Sequence, residues 1–251
     1  FWPSLYRIIS AANAAIYGIP AVDMDEAYKN QLIAVARVIR DWCYYDLVRL
    51  FGDVPYIGEF VKDPASIASI SKTNAAEVYQ RIIEDCKAGE EFLPDKYDTG
   101  IRSRPSKGTD QTMLATVYMT LGDWANAAGH AEKVITNASS YGYSLLPDYK
   151  DLWDADNGDH AEQIWAVDFR GGTSATGGVN VDYMVPMTGV RNADMAGWSV
   201  IVPAPGVYES FDDRDYRKKV SFLVETEQGG VMTPYTEWTW PRIHMAKWCL
   251  S

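Results

Sequence analysis

The chain has 251 residues, a formal net charge of -11 and a hydrophobic fraction of 47%. It is long enough to bury a substantial core in one large domain or two smaller ones. The acidic balance argues against a nucleic-acid partner and against adsorption to an anionic membrane through charge alone. The 9 Trp and 16 Tyr are a high aromatic content, and such rings serve as packing residues or as flat faces for sugar rings.

The three cysteines Cys43, Cys86 and Cys249 lie far apart and lack the spacing of a zinc site. We therefore expect buried free thiols. The sequence begins at Phe1 with no initiator methionine, no signal peptide and no apolar stretch long enough to span a bilayer. We expect any targeting segment to lie outside this sequence.

Apolar residues at helical spacing predict five helices. These helices cover approximately residues 2–17, 25–51, 74–93, 106–121 and 124–136. The second helix is predicted to stop at Gly52. The third helix has Asn74 as its predicted N-cap and ends before Pro94. Residues 55–73 between the second and third helices are predicted to be an irregular connection.

The fourth and fifth helices carry small, aromatic and turn residues in the order typical of a tetratricopeptide (TPR) repeat. The pattern consists of Leu114, Ala115, Tyr118, Leu121, Gly122, Trp124 and Ala127. The alanines allow the two helices to approach closely, and Gly122 supplies the tight turn. Gly52 occupies a similar turn 70 residues earlier, about two TPR periods of 34 residues. The sequence thus predicts a mainly α fold of TPR-like helical hairpins.

The pattern changes after Tyr149. Residues 162–169 read as a strand, 170–200 have no periodicity, 206–211 read as a short helix, and the remainder reads as strands and loops. We therefore predict a helical scaffold over 1–148 and a loop-rich region over 149–251, packed on the scaffold as one structural unit. Long irregular loops on a rigid scaffold are where binding residues concentrate.

No catalytic constellation is found in the sequence. His130, His160 and His244 lack metal-site or His-carboxylate spacing, so we expect surface or packing roles. The glycine-rich tract 171–178 lacks both the context of a nucleophile elbow and the ending of a phosphate loop, and is interpreted as a mobile loop. We expect no catalytic residue, no metal site and no cofactor.

Two acidic clusters have alternative interpretations. The run Asp154, Asp156, Asn157, Gly158 and Asp159 is interpreted as a solvated turn, with weak structural calcium binding as the alternative. The cluster 212–215 is interpreted as a structural ion-pair corner rather than as a buried catalytic acid. Because the separation of two carboxylates is a three-dimensional quantity, a glycoside hydrolase stays open at this point.

Five stretches in order resemble the SusD/RagB proteins, the glycan-capturing lipoproteins of Bacteroidetes. They are residues 36–55 (ARVIRDWCYYDLVRLFGDVP), 106–108 leading into 121–124, 141–149, 162–165, and 197–203 followed by 211–217. The resemblance extends over nearly the whole chain. Family members are usually much longer, so the chain resembles their N-terminal and middle portion, and Thr109-Asp110 stands where the family usually has small residues.

The resemblance implies a SusD-like α-α superhelix and a protein on the outer face of the outer membrane. Membrane association would run only through an N-terminal lipid anchor, which we expect to lie outside this sequence. The protein would bind an oligosaccharide or polysaccharide and deliver it, without catalysis, to a SusC-like TonB-dependent transporter. The TPR-like side is the expected contact with that transporter, and the ligand would bind elsewhere.

Aromatic and polar residues in the irregular region are the predicted ligand-binding residues, together with one tryptophan at the first helix. The set comprises Trp2, Asn180, Asp182, Tyr183, Arg191, Asn192 and Trp198. Rings of this kind stack on sugars, and the polar groups bond hydroxyls. The alternatives are a TPR-type peptide-binding adaptor, which would need a basic groove that the helical part lacks, and a helical glycoside hydrolase.

Overall fold

The computed structural model describes residues 1–154, 158–168, 184–194 and 197–246. The chain forms two compact units. The first comprises Phe1–Ser144 and Gln163–Ala166, and the second comprises Leu145–Glu162 and Val167–Ser251. The predicted boundary at 148/149, and the expectation that the two parts pack as one unit, stay predictions.

The first unit is a stack of helices that pack against their neighbours in chain order. The helices are α1 (Trp2–Gly18), α2 (Glu26–Phe51), α3 (Ala75–Gly89), α4 (Lys107–Thr120), α5 (Trp124–Thr136) and the single turn α6 (Ala138–Tyr141). Only a three-residue turn joins α4 to α5, and Gly122 adopts a φ of 75° there. The mainly α fold of helical hairpins is therefore confirmed.

Side-chain caps fix where several of these helices begin. Asp25 accepts a hydrogen bond from the backbone of Tyr28 at the start of α2, and Asn74 does the same for Ala76 at the start of α3. Asp123 caps α5 through the backbone amide of Asn126. Such caps satisfy amides that the first helical turn leaves unpaired. The prediction of Asn74 as an N-cap is confirmed, although α3 ends at Gly89, five residues before Pro94.

The core of the first unit lies where α1 to α4 meet. Large side chains from all four helices are buried here, including Ile9, Tyr44, Leu47, Ile82 and Leu114. Cys43 and Cys86 are buried free thiols, as predicted, while Cys249 lies outside the described residues. None of the helices in the described residues combines the length and apolar character needed to cross a bilayer.

The second unit consists of short elements joined by turns. They are α7 (Met184–Thr188), α8 (Tyr216–Ser221) and the strands β1 (Phe222–Leu223), β2 (Glu225–Gln228), β3 (Val231–Pro234) and β4 (His244–Met245). Strand β1 pairs with β4, and β2 pairs with β3, both antiparallel. Gly229 and Gly230 both have positive φ in the two-residue β2–β3 turn, where the Asp194 carboxylate accepts both of their amides.

Two sequence-based predictions for the chain after Tyr149 are wrong. The described residues of 162–169 form no strand. They run as an extended segment, where the Ala166 amide donates to the Arg102 carbonyl and the Trp165 indole donates to the Ser103 carbonyl, 3.1 and 3.2 Å away. Residues 206–211 form consecutive turns rather than a helix, beginning at Gly206 with a φ of 85°.

Candidate functional site

The segment around Trp198 is held against the end of α7 by backbone hydrogen bonds. The Trp198 amide donates to the Pro186 carbonyl at 2.6 Å, and the amides of Val200 and Ile201 both donate to the Met187 carbonyl. Gly197 lies so close to the end of α7 that a Cβ on it would overlap the backbone of Gly189 and Val190, the two residues after the helix. This arrangement leaves the Trp198 side chain 48% exposed on a fixed backbone.

A serine–histidine contact locks the same segment to β4. The Nδ1 atom of His244 lies 2.7 Å from the Arg242 carbonyl, which can only accept, so Nδ1 carries the proton. Burial lowers the pKa of His244, which keeps the ring neutral and leaves Nε2 as an acceptor. The Ser199 hydroxyl, 2.8 Å away, therefore donates to Nε2, and its oxygen accepts from the Arg191 amide. Ser199 adopts a φ of 54° at this junction.

A recess of about 320 Å³ lies beside this lock, within the second unit. Its lining includes Tyr208 and Tyr235, the charged residues Glu209 and Arg242, and three prolines. A recess of this volume falls at the small end of the range for ligand pockets, roughly 300–1,000 Å³. Aromatic faces beside a few polar groups are suited to stacking and hydrogen bonding with a sugar ring.

The Tyr208 ring is held in place from two sides. It meets Phe222 edge-on at 5.4 Å between ring centroids, and the Lys218 ammonium lies 4.3 Å from its centroid. Lys218 in turn bonds the Asp213 carboxylate at 2.6 Å. The recess therefore has one wall whose aromatic ring is fixed before any ligand arrives.

The predicted ion-pair corner at 212–215 is confirmed. Arg214 bonds Asp212, and Arg217 bonds Asp215. The Arg214 side chain holds the pKa of Asp212 at about 2, and Arg217 similarly lowers the pKa of Asp215. These carboxylates are stable anions near the surface, which is the opposite of an acid poised to donate a proton.

The predicted ligand residues are divided between the two units. Arg191 pairs with Gly197 in an isolated bridge, one residue before Trp198, and Asn192 donates from its side chain to Thr239 at 3.1 Å. Thus Arg191, Asn192 and Trp198 belong to one pair of adjoining segments. Trp2 lies in the first unit, half-buried against Tyr6 and Phe51. Ligand binding by these residues stays a prediction.

Some predicted features lie outside the described residues. These are Asn180, Asp182, Tyr183, the tract 171–178, and Asp156 and Asn157 of the acidic run. Conversely, the recess is lined by residues that the sequence did not single out, Tyr208, Glu209, Tyr235 and Arg242. The available signal was the proline-bounded turns that carry them, since proline restricts the backbone at turn positions.

Two of the three histidines, His130 and His244, have structural partners. His130 stacks on Tyr118 and bonds Gln111 at 2.7 Å, while His244 forms the lock described above. Within the described ranges, no three His, Cys, Asp or Glu side chains gather as a metal site would require. These features define a class of protein, a helical-repeat scaffold with an aromatic-lined recess on an irregular unit.

Comparisons with known proteins identify the family. Residues 1–119 match a SusD-like family model described as "Starch-binding associating with outer membrane". The chain is 40% identical over 243 residues to SusD-like protein P2 of Formosa agariphila, covering 94% of this chain and 48% of that protein. It is 26% identical over 210 residues to a SusD-like protein of Bacteroides ovatus, covering 71% of this chain and 37% of that protein.

Solved structures agree with these matches. A laminarin-binding SusD-like protein superimposes with a TM-score of 0.85 at 25% identity, over 98% of this chain and 57% of that one. Surface glycan-binding protein A of Bacteroides uniformis shares the fold, with a TM-score of 0.79 at 21% identity, over 98% of this chain and 53% of that one. The chain belongs to the SusD-like proteins. It spans about half the length of the Formosa relative.

Proposed function

We propose that the chain is the glycan-binding part of a cell-surface protein that captures oligosaccharide or polysaccharide without turning it over. The observation that carries the proposal is the recess of the second unit, whose lining combines Tyr208 and Tyr235 with Glu209 and Arg242. The exposed Trp198 is followed by Ser199, which bonds His244, and His244 in turn bonds the backbone carbonyl of the lining residue Arg242.

The charges in the recess favour a neutral ligand. Glu209 and Arg242 are the two charged residues of its lining, and their charges cancel. Carboxylate and guanidinium groups each bond sugar hydroxyls, the first by accepting and the second by donating. A neutral glycan also fits a protein whose net charge of -11 would repel a polyanion.

Isothermal titration tests the proposal. A panel of neutral polysaccharides, including soluble starch and laminarin, is titrated into the protein and into the variants Trp198→Ala and Arg242→Ala. We expect each variant to bind the retained glycan roughly tenfold more weakly, which corresponds to about 1.4 kcal/mol. Trp124→Ala is the matched control, because Trp124 is an exposed tryptophan of the first unit. Binding of no glycan, or equal binding by all variants, contradicts the proposal.

Delivery to a SusC-like TonB-dependent transporter, and a lipid anchor in the outer membrane, are part of the same proposal. The description of the matching family supports the outer-membrane location, and the transporter and the anchor are what the resemblance to SusD/RagB proteins implies. Co-purification of the full-length protein with the transporter from detergent-solubilised outer membranes tests the partner. Release of reducing sugar from a bound glycan, abolished by replacing one carboxylate, would instead favour the glycoside hydrolase.

A further inference from the structure

The connection between α2 and α3 is a loop with a closed base. The Val54 amide donates to the Thr73 carbonyl at 3.2 Å, and the Thr73 amide donates back to the Val54 carbonyl at 2.9 Å. Next to this pair, the Asp53 carboxylate accepts the Ala75 amide at 2.9 Å. Residues 54–73 are therefore pinned at both ends and form a compact excursion rather than a slack linker.

Two tyrosines, one of them half-buried, and a buried asparagine hold the first part of this loop from beneath. Tyr6 donates to the Pro55 carbonyl and Asn13 donates to the Ile57 carbonyl, each at 2.7 Å. The Tyr44 hydroxyl accepts the Ile57 amide at 2.7 Å and donates to the Ile57 carbonyl at 3.1 Å. Burial raises the pKa of Tyr6 to about 12, so this hydroxyl keeps its proton and donates throughout the neutral range.

A buried arginine completes the support. Arg40, which is 4% exposed, donates to the Gly58 carbonyl at 2.9 Å and to the Asn13 side chain at 2.8 Å. Its other terminal nitrogen is paired with Asp85. Burying a guanidinium is costly unless each contact is well made. Here the buried guanidinium fixes the backbone of an exposed loop. Fixing a loop in this way pre-organises a binding surface.

The outer side of the loop bounds a hollow of about 620 Å³. Its lining carries two acids and two bases, Glu59, Asp63, Lys62 and Arg81, so its formal charge is zero. The Arg81 guanidinium lies 5.0 Å from the centroid of the Tyr56 ring, another lining residue. The hollow thus offers several hydrogen-bonding groups without a net charge that would select an ion.

Aromatic rings continue from the hollow onto α1. Phe60, a lining residue, stacks on Tyr17 with centroids 5.1 Å apart and planes inclined by 22°. The Lys62 ammonium lies 4.9 Å from the centroid of the Tyr17 ring. Tyr17 is 56% exposed. Stacked exposed rings lie here beside charged groups whose formal charges sum to zero. Such a surface matches a polyhydroxylated ligand better than a charged or a wholly apolar one.

We propose that the 54–73 loop and the Tyr17–Phe60 pair form a second binding site for a neutral oligosaccharide, contained within the helical unit. This inference takes only the class of ligand, a neutral glycan, from the proposed function. Its geometry is independent of the recess in the second unit.

Hydrogen–deuterium exchange with and without starch-derived and laminarin-derived oligosaccharides tests this proposal. In the parent protein we expect slower exchange both in peptides covering 54–73 and in peptides covering 197–211. Phe60→Ala should abolish protection of 54–73 and keep that of 197–211, and Arg242→Ala should do the reverse. Tyr44→Phe removes the hydroxyl that bonds the backbone of Ile57. In this variant, the oligosaccharide concentration needed to protect 54–73 should rise at least several-fold.

The outcomes separate the two proposals. Protection of 197–211 alone, or protection of 54–73 that survives Phe60→Ala, overturns the second site and leaves the proposed function standing. Protection of 54–73 alone supports the second site and overturns the recess as the binding site. Absence of protection in both regions with every oligosaccharide overturns both. Circular dichroism of each variant shows whether the helices are intact, and Lys62→Ala repeats the test with an exposed side chain of the loop.

Discussion

Replacing Asp110 by asparagine should stabilise the helical unit and reduce its dependence on pH. Asp110 lies in the first turns of α4, is fully buried, and faces α2 and α3. Among the described residues neither carboxylate oxygen has a partner in good hydrogen-bonding geometry, and the Cys86 thiol alongside is only a weak donor. Burial raises the pKa of Asp110 to about 7, with Glu90 adding to the rise and Lys133 opposing it.

The direction of the pH effect follows from this raised pKa. The folded state binds the proton more tightly than the unfolded state, so the stability contribution is full below the ordinary pKa of 3.8 and is lost as the pH rises to about 7. At about 1.4 kcal/mol per pKa unit, the loss is at most about 4 kcal/mol, and relaxation of the helices would reduce it. Asp41, whose pKa is also raised by burial, contributes with the same sign.

Thermal unfolding followed at 222 nm between pH 5 and pH 8 measures the effect, because most of the described helix belongs to the first unit. Asp110→Asn should unfold several degrees higher at pH 8, since each kcal/mol shifts the midpoint by roughly 2–4 °C in a chain of this size. The gap should narrow towards pH 5. Asp98→Asn, at an exposed position, is the matched control. An unchanged slope, or a midpoint lowered at pH 8, would refute the reasoning.

Three further outcomes are expected. Arg40→Met should lower the free energy of unfolding by roughly 3 kcal/mol in urea titration, because it removes the closer cation beside Asp85 in α3 and leaves Arg37, whose Nε lies 3.9 Å from that carboxylate; a loss below 1 kcal/mol would count against a structural role for the Arg40–Asp85 pair. Ser199→Ala should cost about 1–3 kcal/mol, read as faster hydrogen exchange around β4, because His244 loses its donor, and unchanged exchange would contradict the lock. Native Cys43 and Cys86 should resist alkylation, measured by mass spectrometry, because burial raises both thiol pKa values, that of Cys43 to about 12; fast labelling without denaturant would argue against it.

The helices were accessible to sequence reasoning because their signals are local. The predicted limits of α5, 124–136, match the structure, and the spacing of its apolar residues and the cap at Asp123 lie within a few residues of one another. The strand predicted at 162–169 failed for the opposite reason. A strand needs a neighbouring strand, and the partner of Ala166 is the carbonyl of Arg102, in a loop 64 residues earlier.

The candidate sites depend on contacts that no periodicity encodes. Tyr208, Tyr235 and Arg242 line one recess although separate turns carry them. Trp198 could be predicted as a candidate ligand residue because a tryptophan in a polar loop is conspicuous by itself, and it stays a prediction. Residues 55–73 were predicted to be irregular, which is correct, but the support from Tyr6 and its neighbours links positions up to 49 residues apart and is invisible in the sequence.

The contacts beneath the 54–73 loop affect how its surface can evolve, because they involve the backbone of the loop. The carbonyls of Pro55, Ile57 and Gly58, and the amide of Ile57, are the groups that the helices hold. All are backbone atoms, so the helices specify the path of the chain there but not the identity of its side chains. Outward positions such as Phe60 and Lys62 can therefore mutate without disturbing the helices beneath, as positions in the hypervariable loops of an antibody can mutate without disturbing its framework. The loop can therefore acquire a new ligand preference while the helices beneath it remain the same.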